Sequence, residues 1–145
     1  MNLETTKILY EFWRNHEELL FIQHDHHLLL WRNVIFNDDI EDIKHYLSTK
    51  EGLSNIDCFQ GRWVNPLGHW CSENRSDIVD LLIASGANIN IQSIPYEYTP
   101  LHFACGDGFV NIINSLLIAG ADTNICNYEG KTPMMCEVEN NKYIR

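Results

Sequence analysis

Gln23-His24-Asp25-His26-His27 gathers three imidazoles and a carboxylate into one short run, and these are groups that bind zinc or nickel. Ligands so close in sequence cannot easily surround one ion, and no distant carboxylate or cysteine cluster completes a set. Nor is the spacing that of HExxH, where two histidines one helical turn apart share a metal. The run reads as a polar corner between two helices, with a metal-dependent enzyme as the remote alternative. No metal, cofactor or catalytic residue is assigned. The five cysteines are an odd number and cannot all pair within the chain. Cys71 and Cys105 read as small buried hydrophobes in a reducing compartment. A nucleophilic cysteine needs a neighbouring histidine and an activating environment, which the sequence does not show.

The elements around these residues carry more information than the residues themselves. Thr99-Pro100 is a strong helix opening, because the threonine hydroxyl caps backbone N–H groups and proline at the first helical position has none to waste. Leu101, Ala104 and Cys105 follow at helical spacing, and Gly106-Asp107-Gly108 ends that helix. A second apolar set, Val110, Ile113, Leu116 and Leu117, runs to Gly120, the left-handed residue on which helices commonly end. The unit is helix, turn, helix, loop.

It recurs. Pro66-Leu67, Pro100-Leu101 and Pro133-Met134 open helices 34 and 33 residues apart, and Gly86-Ala87-Asn88-Ile89-Asn90 matches Gly120-Ala121-Asp122-Thr123-Asn124 at a spacing of 34. A fainter copy ends at Asn55-Ile56-Asp57. The phrases TPLHFA, GDGFVNII and LLIAGADTN, in this order and spacing, resemble those of the ankyrin repeat family. The resemblance covers roughly 28–145 and is strongest over 65–133. It implies an all-α solenoid of stacked helix-turn-helix units with projecting finger loops, used for binding proteins rather than for catalysis.

The expected organisation is a capping helix region at 1–27, a degenerate first repeat at 28–57, a second at 58–90, a third at 91–124 and a closing half-repeat at 125–145, all in one compact domain. Leu9, Phe12, Trp13, Leu19 and Leu20 make 4–23 an amphipathic helix. It covers the end of the stack or, alternatively, presents Phe12, Trp13 and Phe21 to a partner. Asp39 to Leu47 reads as a helix with acids in its opening turn, and the cluster of Asp38, Asp39, Glu41 and Asp42 as its solvated start. Ser48 to Leu53 reads as a loop. In the second repeat Gly68 stands at the family's histidine position and Trp70 at its packed alanine, implying altered packing there. Glu137 falls in the same small-residue column, as expected of a helix with no neighbour; a truncated chain is the alternative.

A net charge of −10 over 145 residues argues against nucleic acid or an anionic membrane, which need clustered Lys and Arg. No run is long enough to span a bilayer, and the N-terminus does not read as a signal peptide. The expected setting is cytoplasmic, with delivery into a host cell open. A basic surface on a protein partner is the natural complement.

Carried over by position, the resemblance nominates the finger residues Arg62, Trp63, Tyr96, Glu97, Tyr98, Tyr128, Glu129 and Lys131. On the inner helix faces it nominates Ser72, Glu73, Gly106, Asp107, Glu139 and Asn140. His102 is expected to bond backbone within its turn. Aromatic tips ringed by carboxylates suit a partner rich in Lys and Arg. The reading is a monomeric, non-enzymatic inhibitor or adaptor that masks a basic protein and takes no small-molecule substrate. A pathogen or viral decoy and an immunity-like protein are alternatives.

Overall fold

The computed structural model describes residues 34, 38–58 and 65–136. The expected capping helix, the His24–His27 run, Arg62, Trp63, Glu137, Glu139 and Asn140 lie outside them. The described residues are helical, and no strand occurs among them. The chain divides into two compact units, Met1–Asn55 and Ile56–Arg145.

In the first unit, helix α1 spans Ile40–Leu47. Asp39 caps it by accepting a 3.0 Å hydrogen bond from the Glu41 N–H. Ile43, Tyr46 and Leu47 are buried, as their spacing requires. Asp38, Asp39 and Glu41 are exposed, but Asp42 is buried, against the expectation of a wholly solvated start. The reason is geometric: position 42 shares the inner face with 43, 46 and 47.

Ser48 to Leu53 is not a plain loop. Helix α2, Lys50–Ser54, begins inside it, capped by Thr49, whose hydroxyl accepts from the Gly52 N–H at 3.0 Å. A mid-helix glycine argues against such an element in sequence. Here it is required, because a Cβ on Gly52 would run into the Tyr46 carbonyl group.

The second unit holds α3 (Pro66–Ser72), α4 (Ser76–Ala84), α5 (Pro100–Asp107) and α6 (Val110–Ile118). A further helical turn begins at 133–136. Helices α3 and α4 form one hairpin and α5 and α6 the next. The hairpins stack with α3 against α5 and α4 against α6. The core is a set of repeated columns, Leu67 with Leu101, Cys71 with Cys105, Ile78 with Ile112 and Leu82 with Leu116, all buried. None of the five cysteines forms a disulfide. Burial pushes the Cys71 thiol far above its ordinary range, which keeps it an unreactive thiol.

The closing loops are laddered by side chains. Asp57 accepts from the Asn88 N–H and Asn90 from the Asp122 N–H, each at 2.8 Å. The Asn/Asp ending of each phrase thus bonds the backbone of the next loop.

Candidate functional site

The second and third fingers are built alike. Ser93 and Asn127, 34 residues apart, are both buried and anchor their loops. Ser93 N–H donates to the Tyr98 carbonyl at 2.8 Å, and its hydroxyl accepts from the Tyr98 N–H at 3.0 Å. Asn127 N–H donates to the Lys131 carbonyl at 2.9 Å, and its Oδ1 accepts from the N–H groups of Glu129 and Lys131. The second finger is one residue longer. It carries a cis Ile94–Pro95 bond and places Glu97 in the left-handed region at φ 59°, a conformation that Gly130 supplies in the third at φ 76°.

Backbone joins the two. The Tyr128 N–H donates to the Tyr96 carbonyl at 3.0 Å, and the Gln92 amide donates to the carbonyls of Glu97 and Cys126. This brings three nominated rings together, with centroids 5.2 Å apart for Tyr96 and Tyr128, 6.1 Å for Tyr96 and Tyr98, and 6.4 Å for Tyr98 and Tyr128. Tyr96 and Tyr128 remain 52% and 54% exposed. Tyr98 is half-buried, its ring packed on His102 at 5.8 Å and Phe103 at 5.5 Å. Desolvation pushes its phenol above the ordinary value.

His102 locks this arrangement. Its Nδ1 accepts from the Thr99 N–H at 3.0 Å while Thr99 Oγ1 accepts from the His102 N–H at 3.2 Å, a reciprocal cap of the α5 N-terminus. An accepting Nδ1 leaves the proton on Nε2, which donates to the Lys131 carbonyl at 2.9 Å. The bond within the turn is the expected one; the bond across to the third finger is additional. Burial lowers the pKa of His102, so the neutral ring is the resident form at pH 7.

Between α5 and the third finger lies a concave pocket of about 260 Å³. Tyr98 and Phe103 form an aromatic wall, Gly106 and Asp107 the last turn of α5, and Glu129 and Lys131 the far rim. His102, Asn127 and Cys136 complete it. Lys131 Nζ sits 3.0 Å from Glu129 Oε2, and that hydrogen bond holds the Glu129 carboxyl below its ordinary range. The pair is exposed and contributes little stability.

Five nominated residues, Tyr98, Gly106, Asp107, Glu129 and Lys131, therefore meet in one pocket, with Tyr96 and Tyr128 beside Tyr98. Ser72 and Glu73, at the end of α3, do not line it. Glu73 is exposed, and Ser72 Oγ donates to the His69 carbonyl. Sequence reasoning misses Phe103, Gln92 and Asn127. The 34-residue alignment of Asn127 with Ser93, both small and polar, is the signal that finds the finger anchors. Among the described residues no group of three or more His, Cys, Asp or Glu could hold a metal ion, and no helix is long and apolar enough to cross a membrane.

A family model described as ankyrin repeats (3 copies) matches residues 68–144, more than half of the chain. Human protein phosphatase 1 regulatory subunit 27 is 40% identical over 106 residues, covering 72% of this chain and 66% of that one. Palmitoyltransferase AKR1 of Kluyveromyces lactis is 43% identical over 63 residues, 43% of this chain and 8% of the enzyme. The chain thus spans less than a tenth of that relative's length. Among solved structures, the ankyrin repeat domain of Bcl-3, described as a unique member of the IkappaB protein family, superposes with a TM-score of 0.67. It is 27% identical and covers 74% of this chain and 46% of that one.

Proposed function

The chain belongs to the ankyrin repeat family, a protein-binding module on an all-α solenoid, and from that premise we propose that it is a non-enzymatic inhibitor or adaptor that covers the surface of a basic protein partner. One observation carries this reading: Tyr96 and Tyr128, half-exposed and held by the Tyr128 N–H to Tyr96 carbonyl bond, present paired rings on fingers that also carry the exposed Glu97 and Glu129, next to Tyr98, whose pocket Asp107 lines. Rigid aromatic anchors lose little side-chain entropy on binding, and carboxylates around them select Lys and Arg. The formal charge of −10 adds long-range attraction. The human relative is named a regulatory subunit and the Bcl-3 domain a member of the IkappaB family, and both descriptions suit action through a bound protein.

Replacing Tyr96 and Tyr128 together with alanine tests the reading. Binding to a partner captured by the intact chain should fall at least tenfold, the loss of a single interface anchor of about 1.4 kcal/mol. Melting should hardly change, since exposed substitutions stay within about 0.5 kcal/mol. Undiminished capture by the variant would reject the fingers as the interface. The affinity of the intact chain should also weaken as salt rises, and a salt-independent affinity would reject the basic partner.

A further inference from the structure

We infer that the pocket between α5 and the third finger is an arginine subsite: it receives the guanidinium of one arginine side chain from the partner. The inference rests on the protein-masking reading above and specifies the group recognised. At about 260 Å³ the pocket is smaller than the roughly 300–1,000 Å³ that encloses a drug-sized ligand, so it matches a side chain rather than a whole small molecule.

Its polar groups decide the chemistry. His102 has both ring nitrogens engaged, and the Asn127 oxygen is taken by the N–H groups of Glu129 and Lys131, so neither offers an acceptor to a ligand; what the Asn127 NH2 retains is a donor, which a guanidinium, itself only a donor, does not use. The Lys131 ammonium is paired with Glu129. The Asp107 carboxylate has no such partner among the described residues. It also sits on the last residue of α5, where a negative charge faces the negative end of the helix dipole and a cation is favoured by both.

Beside it stand Tyr98 and Phe103, whose rings are 5.5 Å apart and 63° inclined. A planar cation suits such a wall better than an ammonium does. Guanidinium stacks on ring faces and meets a carboxylate with two parallel N–H bonds, whereas lysine is a compact, strongly hydrated point charge.

The test is an NMR titration of the full-length, nitrogen-15-labelled chain with N-acetyl-arginine amide. N-acetyl-citrulline amide, which keeps the shape and removes the charge, is the control. The arginine probe should give saturable shifts at the amides of Gly106, Asp107, Glu129 and Lys131, and citrulline should bind at least about tenfold more weakly. Asp107→Asn should reduce arginine binding by a similar factor while leaving the remaining amides in place. Lys131→Gln, which releases Glu129 from its pair, should tighten it. Absent shifts, equal binding of citrulline, undiminished binding to Asp107→Asn or weaker binding to Lys131→Gln would each overturn the subsite. If the probe fails while the Tyr96/Tyr128 variant still loses the captured partner, the subsite alone is wrong. If that variant also keeps its partner, the masking reading falls with it.

Discussion

The openings of α3 and α5 lie 34 residues apart and solve one backbone problem with different atoms. At α5 the Thr99 hydroxyl and the His102 ring cap each other's N–H groups, and the ring's far nitrogen reaches the Lys131 carbonyl of the third finger. At α3 the Asn65 side chain caps alone, accepting from the Gly68 N–H at 2.8 Å. Where a histidine would stand there is no side chain. A Cβ at Gly68 would meet Phe103 Cε2 at 3.2 Å, so the neighbouring repeat's ring comes close to the space the missing imidazole leaves. That same Phe103 walls the pocket. Two residues on, α5 buries Ala104 and α3 buries Trp70. The helical phrase is kept in both repeats, while the substituted positions change what each repeat offers its neighbour.

Trp70→Ala should break the comparison most severely. If Trp70 were an accident on an alanine scaffold, restoring alanine would be nearly neutral. Because the indole is 4% exposed, with the Arg75 guanidinium 5.7 Å from its ring centre, the substitution should open a cavity and cost about 3–5 kcal/mol. Denaturant unfolding measures it, and a cost below about 1 kcal/mol would show that the site collapses onto an alanine-like packing. Gly68→His sharpens the comparison from the other side. Putting the usual residue back should overpack against Phe103 and cost about 1–3 kcal/mol. Adding Phe103→Ala should recover part of that cost. A double-mutant cycle without coupling would mean that Phe103 is not the obstruction.

What the sequence discloses and what it withholds divide along the same line. The proline openings, the glycine stops and the columns Leu67/Leu101 and Cys71/Cys105 are legible, because short-range capping and helical spacing determine them and the structure buries those residues. In α6 the spacing misleads: of Val110, Ile113, Leu116 and Leu117 only Leu116 is buried, Val110 and Leu117 are exposed, and Ile112, one turn before Leu116, takes the inner face, because an all-round apolar helix does not disclose its phase. Helix α2 is hidden, because Gly52 argues against a helix until the backbone of Tyr46 is known to lie against it. Asp42 reads as solvated by type and is buried by helical phase. At the candidate site the finger aromatics are readable as residues. The Tyr98 packing on Phe103, the His102 bond to Lys131 and the pocket itself depend on the paths of two loops, which no local pattern specifies.

The smallest effect predicted concerns pH and separates the two openings by charge. Burial lowers the pKa of His102 from its ordinary 6.5, so between the lowered value and 6.5 the unfolded chain binds a proton that the folded chain does not. Stability is therefore fully present above about pH 6.5 and declines as pH falls through that window. The structural reason is that Nδ1 is an acceptor: a proton there would turn it toward the Thr99 N–H as a second donor and undo the reciprocal cap. At α3 the cap uses Asn65, which does not titrate, although the half-buried His69 beside it is shifted the same way by desolvation and adds its own share. Comparing unfolding at pH 7.5 and 5.5 for the intact chain, His102→Asn and His69→Asn divides the effect. His102→Asn should lower stability at pH 7.5 and flatten the acid-side decline, whereas His69→Asn should flatten it without disturbing the third finger's amide signals. A decline unchanged in His102→Asn would mean that the tie between α5 and Lys131 survives protonation, and the contrast between the two openings would then be one of packing alone.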